Sequence, residues 1–426
     1  MSDDDLPEPD GWRDDEDPDF GWGRRPEDGI AELLRQAGIP VDQDATLEQM
    51  LSQLANQMVS QLKRRQDLAG GPDVPVTWTA AKEAARQQIA SLGPDPKPDG
   101  RRTREIADAF HLVELWLDDH TSFAGLTVPP AAWSRQEWID QTMPRWQTMI
   151  EPVISTIAQG LYRTMSDRLT SEAQVPELAQ LSSLLQPVLR QAADGMFGTR
   201  LGRELGRIAT DIVTATDIGF PLTRQAMVAI LPTNLAASAQ GLGLSEQDVL
   251  LHHAIREAAR QRLFGGVAWI GPQLIALVQH YAREIRIDPE ALTAAIEEAI
   301  PTDVTPESVS QFEVEVNQAM FDPGRTDEQL AILDRLETLV ALVEGWVDHV
   351  SDQAIAAWMP SAGALAETVR RRRAAGGPAA EVFATLLGLQ IRPKRLREAQ
   401  AFWASLTAER GVAGRDDTWT HPDHLP

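Results

Sequence analysis

The sequence predicts a mainly α protein, a multi-helical core with a minor β element. Three observations carry this. Apolar residues recur at three- and four-residue spacing over most of the chain from Arg102 onward. Helix-opening patterns precede those stretches at Ser134-Arg135-Gln136-Glu137, Ser245-Glu246-Gln247-Asp248 and Thr326-Asp327-Glu328-Gln329. Strand-like runs are scarce; the best is Ala226-Met227-Val228-Ala229-Ile230-Leu231, after the turn at Gly219-Phe220-Pro221.

Residues 1–29 are rich in Asp, Glu, Gly and Pro, with Trp12, Phe20 and Trp22 scattered among them. Such a segment cannot bury enough apolar surface to offset its ordering entropy, so it reads as a disordered acidic tail. It either solubilises the chain or docks through Trp12 and Trp22. Helical periodicity starts near Ile30, and a second helix spans Leu47 to Leu62. Breaks at Leu68–Pro75 and Gly93–Gly100 set an N-terminal helical arm, 30–100, apart from a body over 101–409. Within the body, Ile106, Phe110, Val113, Leu115 and Trp116 form one apolar face. Pro144 and Pro152 are expected to kink or divide the helix opened at Ser134. Gly195, Gly198, Gly202 and Gly206 leave one helix face nearly bare, which suits close helix–helix approach. Residues 410–426 read as a loose C-terminal tail.

The 426-residue chain is 24% charged and 43% hydrophobic, ordinary for a soluble globular protein, and has a formal net charge of −24. That charge disfavours nucleic acid and anionic membrane as partners, since both require a positive surface. With no cysteine, disulfides and thiolate metal sites are excluded. The acidic start, Met1-Ser2-Asp3-Asp4-Asp5, has no signal-peptide pattern, and no run approaches the ~20 apolar residues of a spanning helix. A cytoplasmic location is expected. G-x-S-x-G, P-loop and dinucleotide fingerprints are missing.

The chemistry-bearing stretch is Leu250 to Phe264. Its residues Arg256-Glu257-Ala258-Ala259-Arg260 have the frame of the zinc-peptidase helix H-E-x-x-H, with glutamate kept and both histidine positions held by arginine. On a helix, His253, Arg256, Glu257 and Arg260 form one polar stripe opposite an apolar face. Taken alone, that stripe is either a degenerate metal site or a solvated helix face. His111, Glu114 and Asp118 share another face, which could hold a metal but more often is solvated. Of the twelve tryptophans, Trp116, Trp138, Trp146, Trp346, Trp358 and Trp403 sit within apolar helical patterns and are expected in the core.

From about Trp138 to Trp403 the chain resembles a bacterial zinc-dependent metalloprotease-like family of zincin type. Some of its members are associated by name with deazaflavin-coenzyme biosynthesis. The resemblance rests on Thr216-Asp217-Ile218-Gly219-Phe220-Pro221-Leu222, Leu231-Pro232-Thr233-Asn234, the Arg256–Phe264 stretch with Trp269, Leu342-Val343-Glu344-Gly345-Trp346-Val347-Asp348, and Gly376-Gly377-Pro378. It implies a zincin-like core, a general-base position at Glu257, zinc-ligand positions at Arg256, Arg260 and Glu344, and at Asp348 a carboxylate that orients a ligand. Intact members would carry zinc.

Here a guanidinium has no lone pair to offer and stays protonated, so neither arginine can be a ligand. No cofactor is expected. The resemblance then implies a catalytically silent relative of metallopeptidases that acts by binding a protein or peptide. The alternatives are a working hydrolase with a shifted site built from His253, Glu257 and Glu344, with His252 or His349 nearby, or a structural interaction protein. A charge argument adds one expectation: Arg256 or Arg260 pairs with Glu344 or Asp348 where the zinc would sit.

Overall fold

The computed structural model describes residues 76–172, 195, 197–242, 244–284, 326–360, 362–374 and 395–426. The acidic tail 1–29, the helices expected between 30 and 62, the break at 68–75 and Gly376-Gly377-Pro378 lie outside the described residues. The fold is mainly helical with one small parallel strand pair, the class expected.

Helix α1 (Val76–Ser91) leads through the 93–99 break into α2 (Gly100–Leu117), which Asp99 opens by accepting a hydrogen bond from the Arg102 backbone. Strand β1 (Ala131–Ala132) follows, then the long α3 (Arg135–Glu172). The reciprocal bonds between Ser134 and Glu137 form the expected capping box at its start. Pro144 and Pro152 were expected to kink or divide this helix; both lie inside α3, which they do not divide. Trp138, Trp146, Met149 and Ile150 are buried on either side of Pro144, so tertiary packing carries the helix through the missing backbone bond.

Helical residues 197–211 form α4. Its glycine face meets α1 as expected: a Cβ at Gly198 would collide with the Thr77 backbone, and one at Gly202 with the Ala81 backbone. Trp78, Ala81, Ala85 and Ile89 of α1 thereby join the same core as the rest of the protein.

The chain then passes a bridge at Thr214 and a turn over 215–218 before reaching β2 (Ala229–Ile230), shorter than the 226–231 strand expected. Strand β2 pairs in parallel with β1, Ala131 opposite Ala229 and Ala132 opposite Ile230, and Thr214 bridges to Ile230 from the other side. Helix α5 (Pro232–Leu242) leads to α6 (Glu246–Gly266), capped by Ser245. Next come α7 (Ile270–Arg283), α8 (Asp327–Ile355, opened by the Thr326/Gln329 capping box), α9 (Ala362–Ala374) and α10 (Leu396–Asp417).

Helix α6 lies at the centre, against α2, α5, α8, α9 and β2. Helix α8 packs on α6, α7 and α10, so the Glu344 helix runs beside the motif helix. The C-terminal residues are not a loose tail. Trp419 is fully buried, stacks on Trp403 at 5.0 Å, and its carbonyl accepts a bond of 2.8 Å from the Trp269 indole. Asp416 is buried and accepts from Thr121, Ser122 and the Trp346 indole. These contacts are long-range, so local composition could not reveal them.

Trp138, Trp146, Trp346 and Trp403 are core residues as expected. Trp358 is not: it is 63% exposed and stacks on the half-buried Trp116. Among the described residues no helix is long and apolar enough to cross a membrane.

Candidate functional site

Helix α6 is buried on nearly all sides. Its polar stripe is not a solvated face: Arg256 is 4% exposed, Glu257 0% and Arg260 1%. Buried charges require partners, and α8 supplies them. Glu344 and Asp348 stand one turn apart on α8 and meet Arg256 and Arg260, one turn apart on α6.

Arg260 forks onto Glu344, with Nε donating to Oε1 at 2.7 Å and Nη2 to Oε2 at 3.1 Å. Arg256 Nη2 donates to the same Oε2 at 3.1 Å, and its Nη1 pairs with Asp348. Arg260 Nη1 reaches back along its own helix to Glu257 Oε2 at 3.0 Å. Two guanidiniums thus link three carboxylates, and the expected pairing across α6 and α8 is present.

Glu257 is further tied down by groups outside the motif. Thr214, at a β-bridge, and Thr216, in the turn that follows it, both donate to Glu257 Oε2 at 2.8 Å. Gln261 Nε2 donates to Oε1 at 3.2 Å. The segment Thr216–Leu222 covers the cluster. Gly219 adopts φ +81°, and a Cβ there would lie 3.3 Å from Glu344 Oε1, so its glycine suits both the turn and the close approach. Thr214 and Gln261 were not singled out from sequence.

The electrostatics follow from burial. Desolvation holds the Glu257 carboxyl above its ordinary range, against Arg260, Thr214, Thr216 and Gln261, which favour the ion. For Arg256 and Arg260 burial is the largest influence and works against the charge. The carboxylates outweigh it, Asp348 and Glu344 at Arg256 and Glu344 with Glu257 at Arg260, so both guanidiniums hold their protons more tightly than in water.

Zinc does not fit this arrangement. The positions nearest the three carboxylates are taken by donors with no lone pair, and both Glu344 oxygens and both Glu257 oxygens already accept hydrogen bonds. Among the described residues, no group of three or more His, Asp or Glu is placed to hold a metal ion, and His253, Glu257 and Glu344 do not form one. His253 is buried and meets His252 edge-on at 5.8 Å. His349 points elsewhere, its Nε2 2.9 Å from the Thr407 hydroxyl.

The second acidic face is also accounted for by arginine. Glu114 and Asp118 both accept from Arg262 Nη2 at 2.7 Å, while His111 is exposed.

A profile of zincin-like metallopeptidases matches residues 76–426. A crystal structure from Chloroflexus aurantiacus, described as a "putative hydrolase with a novel fold", shares the fold at a TM-score of 0.51 and 20% identity, covering 82% of this chain and 93% of that one. No curated protein matches the sequence. The chain belongs to the zincin-like metallopeptidase family.

Proposed function

We propose that this member of the zincin-like metallopeptidase family performs no zinc-dependent hydrolysis and acts by binding a protein or peptide. One observation carries the reading: Arg256 and Arg260 sit between Glu257, Glu344 and Asp348 and satisfy them. In an intact site, zinc would lower the pKa of a bound water and the central glutamate would take its proton. Glu257 is poorly suited to that task here. It is fully buried, and its oxygens accept bonds from Thr214, Thr216, Gln261 and Arg260.

Formal charge supports the same reading. Two guanidiniums bring the two positive charges that a divalent ion would bring, against the same three carboxylates. The substitution therefore keeps the electrostatic balance of the core while removing its metal chemistry.

Elemental analysis of the full-length chain, purified without chelator, tests this together with a peptide-hydrolysis assay. The expected result is zinc far below one per chain and no chelator-sensitive turnover. Stoichiometric zinc, with turnover abolished by chelator and by Glu257→Gln, would overturn the proposal and favour a rearranged metal site.

A further inference from the structure

A cavity of about 520 Å³ opens beside the motif helix, between α3, α6, α7 and the 221–226 loop. That volume lies in the range of small-molecule sites, roughly 300–1,000 Å³. Gln261 lines it and also donates to Glu257, so the cavity abuts the arginine–carboxylate cluster with one side chain between them.

Its charge is unlike that of the chain as a whole. The protein carries a formal net charge of −24, yet the described residues lining this cavity include Arg145 and Arg224 and neither Asp nor Glu. Arg145 is half-buried and spends two of its donors on the loop, Nε to the Thr223 carbonyl at 3.3 Å and Nη2 to the Arg224 carbonyl at 3.5 Å. A guanidinium has five N–H donors, so others remain for a ligand. Arg224 is exposed at the rim. Among the described residues, no carboxylate pairs with either guanidinium. Pro221, Phe264 and Ile275 supply apolar wall.

We infer that this cavity binds a small organic anion, its carboxylate or phosphate head on Arg145 and Arg224 and its apolar body against Pro221, Phe264 and Ile275. Arginine binds both heads with the same forked donors. The absence of acidic groups from the lining removes the repulsion an anion meets elsewhere on this protein. The inference goes beyond the protein or peptide binding proposed above and does not rest on it: the occupant here is a small anion in a cavity of its own.

Calorimetric titration of the full-length chain tests it with three probes: an N-acetylated dipeptide of two apolar residues with a free C-terminal carboxylate, the same dipeptide as its C-terminal amide, and inorganic phosphate. The acid is expected to bind, and the amide at least about tenfold more weakly, since the charge-assisted bonds are lost. Arg224→Gln, at an exposed position that folding tolerates, should weaken the acid by about tenfold and leave the amide unchanged. Phosphate that binds in place of the acid, with the same loss in Arg224→Gln, would support the site and assign its head group to phosphate. Equal affinity for acid and amide, no binding of acid or phosphate, or full affinity in Arg224→Gln would each overturn the inference. Zinc content does not enter these measurements, so failure of the pseudoenzyme reading and failure of the anion site are read separately.

Discussion

Replacing Arg260 with methionine is the sharpest probe of the buried cluster. The side chain is 1% exposed and makes three hydrogen bonds to carboxylates, two to Glu344 and one to Glu257. Methionine keeps much of the volume and removes the charge. Glu344 then retains Arg256, but Glu257 is left fully buried with hydroxyl and amide donors and no cation. Leaving a buried charge uncompensated costs about 3–5 kcal/mol, against under about 1 kcal/mol for an exposed pair. For a core of this size each kcal/mol moves the thermal midpoint by about 2 °C, so Arg260→Met should lower it by roughly 6–10 °C.

The double variant Arg260→Met/Glu257→Gln separates charge from packing. It removes the carboxylate left without a cation, restores the one-charge excess of carboxylate over guanidinium, and leaves Arg256 with Glu344 and Asp348. It should therefore unfold at a higher temperature than Arg260→Met alone. Differential scanning calorimetry at neutral pH reads the parent, both single variants and the double variant. A midpoint for Arg260→Met within about 2 °C of the parent would refute the claim that the cluster is held by charge. So would a double variant as unstable as the sum of its singles, because packing would then govern the site.

Further outcomes follow from other parts of the fold. Burial holds the His349 imidazole down to about 4 from the usual 6.5, with Arg415 adding to the effect. The neutral ring is thus favoured in the folded state, and its contribution is full above pH 6.5 and lost as pH falls toward 4. With solvent screening allowed for, acid unfolding profiles of the parent and His349→Gln should differ by about 1–2 kcal/mol over that window, and parallel profiles would refute it. Gly202→Val should release α1 from α4, because its side chain meets the Ala81 backbone; hydrogen exchange should rise across Val76–Ser91 in particular. Trp419→Ala removes a fully buried ring and should cost about 3–5 kcal/mol by thermal unfolding, whereas a dispensable C-terminus would tolerate it.

Much of the fold is legible in the sequence where short-range chemistry decides it. The capping boxes at Ser134 and Thr326 form because all their atoms lie within four residues. The bare glycine face of α4 is legible for the same reason, since helical spacing alone lines the glycines up. The pairing of Arg256 and Arg260 with Glu344 and Asp348 could be anticipated only because the family resemblance sets the Glu344 helix beside the motif helix; one-turn spacings then align the charges. Burial of that stripe could not be read from α6 alone, because arginine and glutamate on a helix suit water equally well. What buries it is the Thr214–Leu222 segment and α8, both remote in sequence. Arg262 shows the same limit: its partners are Glu114 on α2 and Asp118 at that helix's C-cap, and nothing local to either helix announces the other. The buried C-terminus was missed because Asp416 and Trp419 find their partners at Thr121, Trp269, Trp346 and Trp403.

Restoring histidine at both motif positions tests whether the two arginines stand in for a divalent ion. In Arg256→His/Arg260→His without metal, Glu257, Glu344 and Asp348 would lose both of these guanidiniums and face neutral imidazoles at neutral pH. That core should be less stable than the parent and than either single variant, since a single variant keeps one guanidinium for Glu344. Added zinc should reverse the loss in the double variant by mass action, by about 2.7 kcal/mol at a hundredfold excess over its dissociation constant, or roughly 5 °C of thermal midpoint. The parent, whose carboxylates are already paired, should gain nothing. Adding Glu344→Gln to the double variant should abolish the zinc-dependent gain if Glu344 occupies the third ligand position. A folded double variant that zinc leaves unchanged would break the equivalence between two guanidiniums and one metal ion. The cluster would then have to be explained as an ordinary buried ion-pair network, in a fold whose carboxylates are not arranged for a metal.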